Sequence, residues 1–371
     1  MSRFSRFSIT AAVLASLTLF LSPTSRGEEP KREKVFVGYL FGPPKDLNYA
    51  LYTHICHAFV TAGGDGRLNP NRSVPSRAVT TEAHAAGVKV LVSLGGWGWD
   101  DQFREIVADP KAEARYVEAV VKLVDEFDYD GIDLDWEYPD ADNEVPGFER
   151  LTRTFRKRLD AIGKAKGREM LVTMAASSNF GTLSRLDPAF LVETMDWINV
   201  MTYDFAGAWS PRAGHNAPLF ASSQDGPNGG STARAMLDFL EKRGVPADRL
   251  AVGLPLYGRG FHVPKPYTSI QGSSEKPFDV NYKDAVKRLA EGWKRTWDDE
   301  TKVPWLTSPD GKKVIGFDDA ESIRLKTDWA MSRGFRGVFF WQVDGDRLPD
   351  GSNPLQQAAH QAWEAGRAAP K

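Results

Sequence analysis

Asp130-Gly131-Ile132-Asp133-Leu134-Asp135-Trp136-Glu137-Tyr138-Pro139 alternates carboxylates with large apolar side chains. In a strand, successive side chains point to opposite faces. Asp133, Asp135 and Glu137 therefore share one face, and Ile132, Leu134 and Trp136 share the other. The apolar set suits packing against an outer layer of helices. The acidic set then projects inward near the strand's C-terminal end. Asp130 has the opposite parity; it would need a kink at Gly131 to join the other three, and it reads instead as support for the strand. A solvated acidic turn fits poorly, because the Ile/Leu/Trp alternation buries the run. A metal site fits no better, because no histidine pattern completes a shell. Three clustered carboxylates do not all stay ionised cheaply, since burial and mutual repulsion raise the proton affinity of at least one. A general acid working near neutral pH requires that property. Glu137, at the end of the strand, is best placed to reach a substrate.

Outward from this run, seven further apolar stretches read as strands: Val35–Leu40, His54–Val60, Val88–Leu94, Met170–Ala176, Trp197–Tyr203, Leu250–Tyr257 and Gly337–Gln342. With Gly131–Trp136 they make eight. Their apolar runs are nearly continuous, as strands covered on both faces require. Helical patterns lie between them, at about Ser76–Ala86, Ala112–Phe127, Gly147–Ala165, Pro188–Glu193, Ser231–Lys242 and Ala320–Ser332. A last helix runs from about Pro354 to Ala365, with Asn353 as its N-cap and Pro354 at its first position. Eight strand–helix units in series specify an α/β fold, a (β/α)8 TIM barrel. A doubly wound open sheet would want a glycine-rich phosphate loop after its first strand, and Gly38-Tyr39-Leu40-Phe41-Gly42 does not have that form. The stretch from Gly260 to Val314 is too long for a structureless loop in a compact domain. With a helical pattern at Asp284–Gly292, it reads as a small α+β insertion, at about residues 262–314, between strands seven and eight.

The 371 residues are 42% hydrophobic and 26% charged, with a formal net charge of −2. This balance is that of a soluble globular protein and gives no sign of a nucleic-acid or anionic-membrane partner. Arg3 and Arg6 followed by the apolar run Ile9–Leu21, with small residues at Ser25 and Gly27, form a secretory signal peptide over residues 1–27. The catalytic barrel would then occupy residues 28–371, exported to the periplasm or the extracellular medium, without stable membrane insertion once the signal is removed. The single cysteine, Cys56, excludes an intramolecular disulfide. The 11 tryptophans are many for this length and favour a surface on which sugar rings stack.

At its acidic run the chain resembles the family 18 glycoside hydrolases, the chitinase family, whose signature is Asp-x-x-Asp-x-Asp-x-Glu on barrel strand four. Four further segments are similar, in order: Ser93-Leu94-Gly95-Gly96-Trp97, Met201-Thr202-Tyr203-Asp204-Phe205, Gly253-Leu254-Pro255-Leu256-Tyr257-Gly258-Arg259 and Gly337-Val338-Phe339-Phe340-Trp341. The resemblance covers nearly the whole mature chain. It implies a retaining, substrate-assisted hydrolysis, the exception to the two-carboxylate scheme. The substrate's own 2-acetamido oxygen attacks the anomeric carbon while Glu137 protonates the leaving oxygen. Asp135 would orient and stabilise the acetamido group, Asp133 would tune Asp135 through a shared proton, and Tyr203 would donate to the acetamido oxygen. The implied substrate is chitin or another N-acetylglucosamine polymer, hydrolysed by a monomer that needs no cofactor and no metal.

Tyr39, Trp97, Glu137, Tyr203, Asp204, Tyr257 and Trp341 each fall at or just past the end of an expected strand, the face where active sites of this barrel sit. Trp341 resembles the family's floor tryptophan, which stacks under the sugar. Trp97, Trp99 and Trp209 either line the cleft or simply pack. Arg259 holds a sugar hydroxyl or pairs with an acid. Met201 reads as pocket wall. His54 and His57 have opposite strand parity and do not make a metal site, while His215 sits in a loop that is expected near the cleft. Only Phe317-Asp318-Asp319-Ala320-Glu321-Ser322 near the insertion matches the family closely, and no separate chitin-binding module is expected. Two other readings remain open: a non-catalytic chitin-binding lectin, which would usually lack the acid at position 137, and the same chemistry on peptidoglycan or the N-glycan core.

Overall fold

The computed structural model describes residues 32–43, 47–225 and 229–368. The expected signal peptide, residues 1–27, lies outside the described residues. Eight strands run in parallel: β1 Val35–Phe41, β2 His54–Ala62, β3 Lys89–Gly95, β4 Gly131–Asp135, β5 Leu171–Ser177, β6 Trp197–Met201, β7 Leu250–Pro255 and β8 Gly337–Trp341. Each pairs with its neighbour in sequence, and β1 pairs with both β2 and β8, which closes the barrel. The expected eight-stranded barrel is the observed fold.

Strand parity sorts the side chains as β4 requires. Ile132, Leu134 and Trp136 face the helices; the Trp136 ring stacks on Phe103 at 5.1 Å, and its Nε1 donates to Asp100 at 2.6 Å. Burial of each such apolar side chain contributes roughly 1.5–3 kcal/mol. Phe103 and Asp100 belong to a helix, Asp100–Ala108, that sequence analysis missed. Its apolar residues Phe103, Ile106 and Val107 follow helical spacing, but the stretch is short and follows directly on the Trp97–Trp99 loop. Asp130, as its parity requires, faces outward. Its carboxylate accepts from the Val90 N–H at 2.7 Å, lies 2.8 Å from His84 Nε2 and pairs with Arg168. It ties β4 to β3 and to the surrounding helices. Gly131 does adopt a special backbone, φ +152°, and a Cβ there would stand 2.0 Å from the Leu171 carbonyl oxygen. Glycine is thus needed for the close approach of β4 to β5.

The barrel interior is filled by the inward set, including Val37, Cys56, Leu91, Leu171, Trp197 and Phe339. Cys56 is fully buried among them. The insertion is present but begins earlier and ends later than residues 262–314. Strand β7 stops at Pro255, which has no N–H to carry its ladder onward. Tyr257–Phe261 then opens a separate antiparallel sheet with Phe278–Asn281, Val314–Gly316, Val303–Thr307 and Lys294–Asp298, beside a helix at Tyr282–Ala290. Tyr257 and Arg259 therefore sit on the first strand of the insertion, not at the end of β7. The last helix, Pro354–Ala368, starts as expected, with Asn353 at the N-cap position and its carbonyl oxygen accepting from the Gln357 N–H at 2.8 Å, but the side-chain cap comes from elsewhere. The Asp346 carboxylate, not Asn353, accepts from the backbone N–H groups of Leu355 and Gln356, at 2.9 and 3.0 Å.

Candidate active site

The C-terminal mouth of the barrel opens into a cleft of about 470 Å³, with Asp135 and Glu137 on its floor. Below them, Asp133 is fully buried in a cage of donors. Its Oδ2 accepts from Tyr39 Oη at 2.8 Å and Ser93 Oγ at 2.7 Å; its Oδ1 accepts from Thr173 Oγ1 at 2.6 Å and Asn199 Nδ2 at 3.4 Å. Ser93, Asp133 and Thr173 are register partners across β3, β4 and β5, so they lie in one row of the barrel wall. Burial pushes the Asp133 carboxyl up, and these hydrogen bonds pull it back. Asp135 has less help. Burial, then the charges of Glu137 and Asp133, push its carboxyl well above the usual carboxylate range. Burial raises Glu137 to about 7, against a hydrogen bond from Tyr138 and with a further push from Asp204. The three inward carboxyls of the sequence thus form one ladder, with Asp135 under the charges of both its neighbours.

Most of the residues singled out in the sequence converge on this cleft. Tyr39, Trp97, Met201, Tyr203, Asp204, Tyr257 and Trp341 all line it. Tyr39 does so with its hydroxyl already committed to Asp133. The Trp341 ring stacks on Phe59 at 5.6 Å and meets Phe41 and Tyr39 at 5.8 Å. Trp97 is 79% exposed at the rim, and Trp99 lines the wall. Asp204 has φ +59°; its N–H donates to Asn216 Oδ1, and its carboxylate accepts from Tyr257 Oη at 2.7 Å and from Arg259. Arg259 does not line the cleft. It bridges Asp204 and Asp279, its cross-strand partner in the insertion. Trp209 also lies outside, under the Arg259 guanidinium at 5.2 Å.

His215 is not in the cleft. It is buried against Trp305, ring centroids 4.0 Å apart, and faces Asp298 at 3.3 Å. His54 and His57 go to opposite sides of β2: His54 meets Trp197 inside the barrel, and His57 meets Tyr129 outside. Among the described residues, no group of three histidine, cysteine or acidic side chains is placed to hold a metal ion. Sequence analysis missed Phe41, Phe59 and Tyr138 in the cleft and Ser93, Thr173 and Asn199 around Asp133. The barrel register would have found the last three, since their parity matches that of Asp133.

The sequence profile of the glycosyl hydrolases family 18 matches residues 26–346. The chain is 33% identical to Chitinase A1 of Niallia circulans over 298 residues, which is 72% of this chain but only 42% of that protein's own length. It is 30% identical to the class V chitinase of Arabidopsis thaliana over 344 residues, 87% of each. Among solved structures, the Group IV chitinase of Ostrinia furnacalis in complex with allosamidin superposes with a TM-score of 0.79 at 25% identity, over 90% of this chain and 100% of that one. A variant of the Cycas revoluta chitinase in complex with (GlcNAc)4 gives 0.78 at 25% identity, over 89% and 99%. The barrel, its antiparallel insertion and a profile match over most of the length agree: the chain belongs to the glycosyl hydrolases of family 18.

Proposed function

We propose that this protein is a secreted chitinase that cleaves β-1,4 linkages between N-acetylglucosamine units with retention of configuration. The observation that carries the proposal is the placing of Glu137 and Asp135 together in one aromatic-lined cleft at the barrel's C-terminal mouth, where burial pushes the Glu137 carboxyl up to about 7. In the proposed course, the sugar at the cleavage site rests on Trp341. Its acetamido oxygen attacks the anomeric carbon as Glu137 protonates the leaving oxygen. Asp135 and Tyr203 hold the acetamido group while positive charge develops on it. Water then opens the oxazolinium intermediate, with Glu137 as base. The Cycas chitinase, similar in fold, was solved with (GlcNAc)4, which supports a chito-oligosaccharide as ligand. Residues 1–27 support export through their charge and apolar pattern.

The test is a product profile on chitin, chito-oligosaccharides, peptidoglycan and N-glycans, run on culture supernatant and cell pellet separately. Chito-oligosaccharides should be cut, with the activity in the supernatant. Replacing the N-acetyl group by a free amine at the cleavage-site sugar should stop cleavage there; continued cutting would rule out acetamido participation. Exclusive release from peptidoglycan or N-glycans would move the reading to a related N-acetylglucosaminidase.

The pH dependence follows from Glu137. Its acid form is required, and it is the form that dominates below about pH 7. The kcat/KM should therefore fall about tenfold per unit on the alkaline side of that value. A profile that stays flat two units further up would remove Glu137 as the acid.

A further inference from the structure

Asp204 stands in the cleft wall with its backbone in the left-handed region, φ +59°. A residue other than glycine stays there only where its surroundings hold it. One buried side chain supplies that hold. Asn216 Oδ1 accepts from the Asp204 N–H at 3.2 Å, and Asn216 Nδ2 donates to the Tyr257 carbonyl oxygen at 3.0 Å. The Asn216 carbonyl oxygen accepts in turn from the Phe205 N–H at 3.0 Å. A backbone N–H at one end of the amide and a backbone C=O at the other fix which way it faces. Asn216 is 1% exposed, so water does not stand in for these bonds.

The clip is anchored in the insertion. Upstream, the Ala213 N–H donates to the Thr268 carbonyl and the Ala213 carbonyl accepts from the Tyr267 N–H, each at 2.9 Å. Downstream, the Leu219 N–H donates to the Thr301 carbonyl at 3.0 Å. Asn216 lies between these ties and reaches back to the loop that follows β6. There it fixes the backbones of two residues whose side chains meet, since Tyr257 Oη donates to Asp204 Oδ1. Arg259 donates to the same oxygen, which leaves Oδ2 to accept from a bound sugar. The charge of Asp204 also reaches Glu137.

We propose that Asn216 is a positioning residue: by clipping the Asp204 N–H to the Tyr257 carbonyl it holds the Asp204 carboxylate in register with Glu137, and so aligns the bound sugar with the acid. This rests on the reading of the cleft as a sugar-cleaving site. Without the amide, the Asp204 N–H and the Tyr257 carbonyl lose their shared partner. Asp204 is then free to leave the left-handed region, and its carboxylate turns away from the cleavage site.

The test uses Asn216→Ala and Asn216→Ser, the serine keeping a polar atom in the buried site but too short to span both partners. Each is checked by circular dichroism and assayed below its own thermal midpoint. On chito-oligosaccharides kcat should fall by about 10- to 100-fold with KM within about threefold, the loss expected when reacting groups are misplaced by about an ångström. A merely structural role would lower the thermal midpoint and leave the kcat of the folded protein in place. In an Asp204→Ala background the same substitutions should cost less than about threefold, because Asn216 acts through Asp204. Losses that multiply undiminished in the double variants overturn the proposal, as does a folded single variant with kcat within about twofold of the native value. A second readout needs no turnover. Hydrogen exchange at the Asp204 and Phe205 amides should be at least about tenfold faster in Asn216→Ala, with β4 and β6 exchanging at native rates. Unchanged exchange at those two amides also overturns the proposal. A protein inactive on every glycan would sink the proposed function, while the exchange result still decides whether Asn216 holds Asp204.

Discussion

Glu137→Gln is expected to lower kcat on chito-oligosaccharides by about 10³-fold or more, with substrate affinity within a few fold of the native protein. The substitution keeps the side chain's length and volume but removes the transferable proton. Without it the leaving oxygen departs unprotonated, and the intermediate has no base to activate water. Both halves of the reaction therefore suffer from one change. Binding should survive, because the stacking ring of Trp341 and the row beneath Asp135 do not depend on Glu137. One secondary effect follows from the coupling: the charge of Glu137 helps to raise Asp135, so the variant's Asp135 should titrate lower. Turnover within tenfold of the native value, in a folded variant, would contradict the assignment of the acid.

Lys326→Met is expected to destabilise the fold by about 3–5 kcal/mol. Lys326 and Asp318 are both buried, with Nζ 2.6 and 2.7 Å from the two carboxylate oxygens. Ser322, which is also part of the capping box that starts the helix Ala320–Ser332, donates to the same carboxylate at 2.7 Å. Methionine fills the space of the lysine stem but leaves Asp318 without its counter-charge. Adding Asp318→Leu should recover most of the loss, since replacing both ions by apolar groups leaves no buried charge behind. Denaturant titration of both variants checks this. A single substitution costing under about 1 kcal/mol would show that the pair is dispensable.

The carboxyl ladder was legible because a strand has a period of two. Asp133, Asp135 and Glu137 separated from Asp130 on parity alone, and the structure keeps them separate. What stayed hidden depends on distances across the barrel. Phe41 and Phe59 reach Trp341 only because closure brings β1, β2 and β8 side by side. Ser93, Thr173 and Asn199 converge on Asp133 through a register that no single strand encodes. The end of β7 was misjudged for a related reason. The run Leu250–Tyr257 is apolar across the point where parallel pairing ends, so the hydrophobic pattern does not change when the partner strand does. Arg259 was read as a sugar ligand or an ion-pair partner. The choice depended on Asp279, which is distant in sequence and lies opposite it only once the insertion's sheet has formed.

Cys56 has a consequence for how the molecule can be observed. It is the only thiol in the chain, it lies inside a closed wall of strands, and burial holds it protonated. A protonated, enclosed sulfur is a poor nucleophile. In an oxidising medium it gives the native protein no handle for cross-linking one molecule to another. A thiol reagent can modify it only when the strands part. The rate of labelling therefore clocks the opening of the whole barrel, and the native chain carries its own reporter of unfolding.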